Sequence, residues 1–374
     1  MATQVSPQQL FIGPQAEQKA PLGALLQHLL ALVAERREQR FSGDPQWHSA
    51  PAGEALAQDT DIREAMERLL SLLKGEIPTF SPRYLGHMVS DVSVPALLGH
   101  LAMLFENANL ASREAALVAS QLETQAINLL AEMVGFDPGP ARGHFTSGGT
   151  LANFEAVWRA RYRLDHWLAL GIWLRINGHT DASLFELAHC GWDFYEAKVA
   201  EHELVDADMA PYSAVLNSTL RVAESVAGPL GERWPEPVII VPGNKHYSWP
   251  KAANVFGMGV ESVWACDLDA HGRLEPSSLS RLLDRARHEN RPVMMVVSVA
   301  GTTELGMIDP INRVADILET FQEQRGLHIW HHIDAAYGGY FCSTLGCDTC
   351  GLPVASQEAL QACPRASSIT LDPH

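Results

Sequence analysis

Six apolar residues between positions 22 and 34 (Leu22, Leu25, Leu26, Leu29, Leu32 and Val33) recur at helical spacing on one face. The stretch "LGALLQHLLALVA" that holds them is 13 residues long and is interrupted by Gln27 and His28. It is too short to span a bilayer and predicts an amphipathic helix that packs on its own core or on a partner subunit. "FSGDPQWHSAPAGE" (41–54) is rich in Gly, Pro, Ser and Ala and reads as a loop. "REAALVASQLETQAINLLAEMVGF" (113–136) is the longest helical pattern, with Gly135 near its end.

After Pro235 the period changes. "PVIIVPG" and "SVWACDLD" are short apolar runs, and "PSSLSRLLDRARHEN" is an amphipathic helix. "RPVMMVVSVAG" is apolar throughout, as expected of a strand buried on both faces. "INRVADILETFQEQRG" predicts a helix stopped by Gly326, and "LHIWHHIDAAYGG" a strand entering a Gly-rich turn. "SSITLDPH" (367–374) carries a last short strand. Strand and helix in alternation predict an α/β fold with a mostly parallel sheet and helices on both faces. Ligands of such sheets sit beyond the carboxyl ends of the strands.

The chemistry-bearing residues fall at those ends or at helix starts. In "HFTSGGTLANF", Ser147, Gly148, Gly149 and Thr150 precede a helical run from about Leu151. Glycines admit close backbone approach, and a helix N-terminus offers free N–H groups, so this is a phosphate cup or an ordinary N-cap. Asp334, in "HHIDAAYGG", ends a strand beside small residues, which suits a flat ligand or a capped turn. His246, in "NKHYSWPKA", lies between a strand and a helix, where an imidazole can stack on a ring or serve the fold. "SVAGTTELGMIDP" leads a strand into a polar, Gly-rich loop. "SGGT" lacks the G-x-G-x-x-G spacing of a dinucleotide fingerprint.

In order and spacing, "TSGGTLAN", "HYSWPKAA", "GTTELGMIDP", "HIDAAYGGY" and "SSITLDPH" resemble the motifs of the group II pyridoxal phosphate-dependent decarboxylases, the family of glutamate, aromatic amino acid and tyrosine decarboxylases. "PRYLGHMVSDVSVPALLGHLAMLFENAN" is similar to that family's substrate-side segment, and the resemblance covers roughly residues 60–374. It implies a fold-type I pyridoxal phosphate enzyme, with an N-terminal helical segment (1–85) for dimerisation and the substrate side, and a large cofactor domain (86–374). It implies that Ser147, Gly148, Gly149 and Thr150 bind the cofactor phosphate, that His246 stacks on one ring face and Ala336 packs on the other, and that Asp334 pairs with the ring nitrogen. Thr303 is expected at the ring's substituted edge, Ser368 and His374 near the phosphate or the Schiff base, and His87 in the substrate pocket. His246, Asp334 and His374 carry the catalytic roles in this reading, and no metal is implied.

The implied reaction is decarboxylation of an L-amino acid to its amine and CO2 in a homodimer. Another lyase or aminotransferase reaction on the same fold, or a non-catalytic fragment, are the alternatives. In the family a lysine that forms the Schiff base follows "DPH", then a small domain and a mobile loop. These are expected in a longer polypeptide, since the sequence reaches only His374. The five lysines present, Lys19, Lys74, Lys198, Lys245 and Lys251, are poor substitutes, because a reacting amine must be oriented strictly. The stretch 161–235 exceeds the family's usual spacer and predicts an added helical element that covers the site, enlarges the dimer contact or sits on the surface.

Composition narrows the partners. The net charge of −17 disfavours nucleic acid and anionic membranes. "MATQVSPQQLFIGPQ" has no basic region of a secretory signal. Six cysteines include a single CxxC, "CDTC", so reduced thiols in a cytoplasmic protein are expected rather than zinc or disulfides.

Overall fold

The structure, a computed structural model, describes residues 6–40, 43, 59–86, 88–347 and 350–373. Helices of two turns or more are labelled in chain order. The chain forms two compact units, Met1–Ser120 and Gln121–Pro373. The first holds α1 (Lys19–Arg40), α2 (Thr60–Leu73) and α3 (Val94–Glu106). Asp59 caps α2 by accepting the N–H groups of Asp61 and Ile62, and Ser93 caps α3. α1 lies against α3, where Arg36 pairs with Glu106. Ile62, Met66, Leu69, Leu70 and Leu73 of α2 are all exposed. α4 (Leu117–Met133) leads into the second unit.

The second unit is built on five parallel strands: β1 (Val238–Pro242), β2 (Val263–Cys266), β3 (Val293–Val299), β4 (His331–Asp334) and β5 (Ser368–Thr370). Their order is β2-β1-β3-β4-β5. Every residue of β1, β3 and β4 is buried; β1 and β3 are accordingly nearly unbroken apolar runs, whereas β4 buries His331, His332 and Asp334 around Ile333. α5 (Gly149–Ile176) and α8 (Ser248–Val255) cover one face. There Val157, Leu164 and Leu168 pack with Ile239, Val241, Trp249 and Val297. α9 (Pro276–His288) and α10 (Ile311–Arg325) cover the other, setting Leu279, Leu283 and Val314 on Val238, Ile240 and Val296. Neighbouring β1 residues thus serve opposite faces. α11 (Val354–Gln361) packs beside α10 below β4 and β5.

The helical element expected within 161–235 exists, and its place is a finding. α5 runs on to Ile176, followed by a helical turn at Leu184–Leu187, α6 (Trp192–Glu201) and α7 (Thr219–Leu230). Phe194, Tyr195 and Met209 pack on Ala169, Leu170 and Leu174 in the far half of α5. At 1.5 Å rise per residue, that is roughly 30 Å from the start of the helix, so this packing places Phe194, Tyr195 and Met209 far from the Gly-rich loop.

Asp309 anchors the loop after β3. It is fully buried and accepts the N–H groups of Leu274 and Val299, each at 2.7 Å. Burial pushes its carboxyl up to about 6. Asp309→Ala leaves both donors orphaned, so urea unfolding should show a loss of about 2–5 kcal/mol. An unchanged midpoint would remove Asp309 from the framework.

Candidate active site

The site is assembled at the carboxyl ends of the strands. β4 ends on Asp334, whose register partners are Val299 of β3 and Thr370 of β5. The Asp334 carboxylate is 5% exposed. Its Oδ2 accepts a hydrogen bond from Asn153 Nδ2 at 2.8 Å and one from the Trp249 indole N–H at 3.0 Å. Burial raises its pKa above the ordinary carboxylate value, against the lowering effect of these donors and of the Ala336 N–H. Among the described residues no Lys or Arg pairs with it. It is a buried carboxyl held in place by neutral donors, and His246 is the base whose charge acts on it.

Asn153 also donates from Nδ2 to Ser248 Oγ at 3.0 Å. Ser248 Oγ lies 3.0 Å from His246 Nδ1, and the Ser248 N–H donates to the same nitrogen at 3.3 Å. The hydroxyl oxygen is taken as acceptor, so its hydrogen points to Nδ1. A neutral His246 therefore carries its proton on Nε2. Asp334, Asn153, Ser248 and His246 form one hydrogen-bonded chain that spans β4, α5 and the start of α8. α8 begins where it does because Ser248 and Trp249, both fully buried, fold back onto this chain.

The Gly-rich loop lies at the N-terminus of α5. Gly148 is the N-cap with φ 135°, a conformation that a side chain would strain. A Cβ on Gly149 would stand 3.2 Å from Ala336 Cβ. The Gly149 N–H donates at 2.9 Å to Oδ2 of Asp372, whose own N–H reaches the Ala336 carbonyl at 3.2 Å. The helix terminus thus holds an anion: the Asp372 carboxylate stands where a phosphate group would be received.

The structure brings together Gly148, Gly149, Ala336 and Asp334, with His246 joined through Asn153 and Ser248. Ser147 is exposed, Thr150 is half-buried in the first turn of α5, and Thr303 is exposed in the loop after β3. Ser368 has its hydroxyl engaged within the sheet. It opens β5 opposite His332, two residues back from Thr370, and its hydroxyl is engaged by the Trp330 indole N–H and His332 Nδ1, each at 2.8 Å. β5 itself lies against α5, so Ser368 stays on the side of the sheet that carries the Gly-rich loop, with its hydroxyl committed to Trp330 and His332. His87 and His374 lie outside the described residues. Of the two lysines beside the motif, Lys251 lies over the Tyr247 ring at 5.9 Å and is exposed, and Lys245 is half-buried. Asn153, Ser248 and Trp249 were not expected from the sequence.

These residues fit pyridoxal phosphate. The buried carboxylate suits a protonated ring nitrogen. The terminus of α5 already holds a carboxylate, and the lack of a Cβ on Gly149 keeps the approach to Ala336 open. Gly149→Ala is expected to weaken cofactor binding at least ten-fold in an absorbance titration, since the added methyl meets Ala336 and the anion. Binding at parental affinity would show that this approach does not matter.

The comparisons agree with the geometry. The model of the pyridoxal-dependent decarboxylase conserved domain matches residues 233–374. An L-tyrosine decarboxylase of Levilactobacillus brevis is 29% identical over 339 residues, covering 88% of this chain and 51% of the relative. An L-tyrosine decarboxylase of Enterococcus faecium is 26% identical over 397 residues, covering 98% and 62%. The crystal structure of mouse CSAD in apo form superimposes with a TM-score of 0.57 at 21% identity, covering 95% of this chain and 61% of that one. The fold is thus shared with solved relatives, and the chain spans about half to three-fifths of the length of the curated relatives it matches.

Proposed function

We propose that the chain is a group II pyridoxal phosphate-dependent decarboxylase, on its match to the pyridoxal-dependent decarboxylase domain over residues 233–374 and its likeness to L-tyrosine decarboxylases, and that it decarboxylates an L-amino acid to its amine and CO2. The observation that carries the reading is the buried Asp334 carboxylate, held by Asn153 and Trp249. Pyridoxal phosphate bound there supplies an electron sink for the pair left at the substrate α-carbon.

The chain's own residues do the rest. Asp334 accepts the N–H of the ring nitrogen and holds the proton there, because a carboxylate at contact favours the charged ring. Asn153 and Trp249 fix the carboxylate's orientation. His246 is held through Nδ1 by the Ser248 hydroxyl and N–H, which sets its ring before a ligand arrives. Gly148 and Gly149 offer backbone N–H groups to the phosphate, with Ser147 and Thr150 beside them. Ala336 borders the same space as a small, flat neighbour. A lysine following His374 completes this reading, as the family pattern requires.

We propose further that the protein acts as a homodimer, that 1–85 serves the dimer and the substrate side, and that it works in the cytoplasm. The exposed apolar side chains along α2 support the first point, and sedimentation tests it. Six unpaired cysteines support the last. Among the described residues no helix is long and apolar enough to cross a membrane.

The test is product analysis of the purified protein with pyridoxal phosphate and a panel of L-amino acids. Amine and CO2 in equal amounts are expected. A keto acid or an aldehyde would assign another reaction of the same fold. Intact mass after borohydride reduction should show one phosphopyridoxyl group per chain, and a mass without it would remove the enzyme reading from this polypeptide.

A further inference from the structure

A second site lies at the opposite end of the sheet. A cavity of about 180 Å³ opens where α5 passes the amino ends of β1 and β3. Leu168, Trp234, Phe256, Met258 and Met294 supply its apolar wall. Its lining residues on α5 lie roughly 18–29 Å beyond Gly149 at 1.5 Å per residue, so it is separate from the Asp334 site. A dry cavity of about 150 Å³ admits benzene, so the space suits one ring with a short arm.

The polar part of the lining is acidic on balance: Asp165, Glu236 and Glu261 against Arg161. Arg161 is committed to main-chain carbonyls. Its guanidinium donates to the carbonyls of Phe256 at 3.3 Å and Ala214 at 3.1 Å. Glu236 faces Arg291 at 3.8 Å. Asp165 is 6% exposed and receives neutral donors, the Ser213 hydroxyl at 2.5 Å, the Ala214 N–H at 2.6 Å and the Val215 N–H. Among the described residues, neither Asp165 nor Glu261 has an ion-pair partner, and the base whose charge acts on Asp165 is its chain neighbour His166. The buried carboxylate beside this aromatic-walled hollow thus makes no ion pair among the described residues, and the Arg161 guanidinium in the same lining is occupied by two carbonyls. Trp234 and Phe256 add ring faces that attract a cation.

We propose that this cavity binds an arylalkyl-ammonium, with its ring among Trp234, Phe256 and Met258 and its ammonium directed to Asp165. The ligand class coincides with a product of the proposed reaction. Binding here needs no cofactor, so the two readings stand or fall separately.

The test is calorimetric titration of the cofactor-free protein with 2-phenylethylamine and with its neutral analogue 2-phenylethanol. The amine should bind at least ten-fold more tightly than the alcohol. Asp165→Asn keeps an acceptor for Ala214 and should erase that preference. Glu261→Gln, at an exposed position that the fold does not depend on, should reduce it two- to three-fold. Met258→Trp, which fills the hollow, should abolish binding of both probes while cofactor uptake at Asp334 stays at the parental level. Equal affinity for amine and alcohol, a preference that survives Asp165→Asn, binding undisturbed by Met258→Trp, or no heat from either probe at millimolar concentration would each overturn the proposal.

Discussion

Asp334→Asn is expected to lower the rate of amine formation by about a hundred- to a thousand-fold, the range reached when one preorganised electrostatic partner is removed from an active site. The substitution is nearly isosteric. The amide oxygen can still accept from Asn153 and Trp249, which both donate to the same carboxylate oxygen, Oδ2. What is lost is the negative charge. A neutral amide cannot keep a proton on the ring nitrogen, so the electron sink weakens while the binding shape persists. The effect should therefore appear in kcat more than in KM, with an altered absorbance of the bound cofactor and a melting temperature close to the parent's. Asn153→Ala, which frees one donor from Asp334 and breaks the chain to His246, should give a smaller loss of about ten-fold in kcat. Full activity in Asp334→Asn would refute the role assigned to the carboxylate.

The second large effect concerns stability in acid and rests on His189. This side chain is fully buried, with Nδ1 at 2.6 Å from the Phe185 carbonyl and Nε2 accepting the Val293 N–H at 3.1 Å. One nitrogen donates and the other accepts, which only the neutral ring can do. Burial pushes its pKa down from the ordinary 6.5 to about 4. Between those values the unfolded chain holds a proton on this residue and the folded chain does not. The contribution to stability is thus complete above pH 6.5 and drains away as the pH falls towards 4. It amounts to about 3 kcal/mol at full extent. Asp309 acts with the opposite sign, because its pKa is raised to about 6 and the folded state takes up its proton first. A parent-minus-variant comparison isolates the histidine from it. His189→Gln should be less stable than the parent at pH 7.5 by about 2 kcal/mol, through lost packing and one lost hydrogen bond. The deficit should shrink by up to about 1.4 kcal/mol per pH unit near pH 5. Urea midpoints at both pH values decide it: parallel pH profiles would mean that His189 does not set the acid limit.

How much was legible in the sequence follows from which physical signals are local. β1 and β3 could be read because burial on both faces leaves an apolar run with turn residues at its ends. Asp334 stood out because an acid breaks such a run at the point where parallel sheets place ligands. Asn153 and Trp249 did not, since an amide or an indole on the buried side of a helix looks like any other residue at that spacing. Their importance appears only when α5 and α8 meet over β4. "TSGGTLAN" does hold a weak signal, a polar residue one turn into an otherwise apolar helix face. For Ser368 the motif order gave a place in the chain but no register. Its pairing with His332 is a property of the sheet. The stretch 161–235 read as helical from its own pattern, but where it packs depends on how far α5 continues past its first turns. His189 gave no sign of its role, because its two partners, Phe185 and Val293, are 4 and 104 residues away.

The hydrogen bond from the Gly149 N–H to Asp372 ties two events together. Under the proposed function, a phosphate at the start of α5 and the Asp372 carboxylate would compete for one donor. The segment after β5 would then act as an internal competitor of the cofactor. By linkage, whatever draws Asp372 off Gly149 would raise cofactor affinity by the same factor that the bound cofactor shifts that segment.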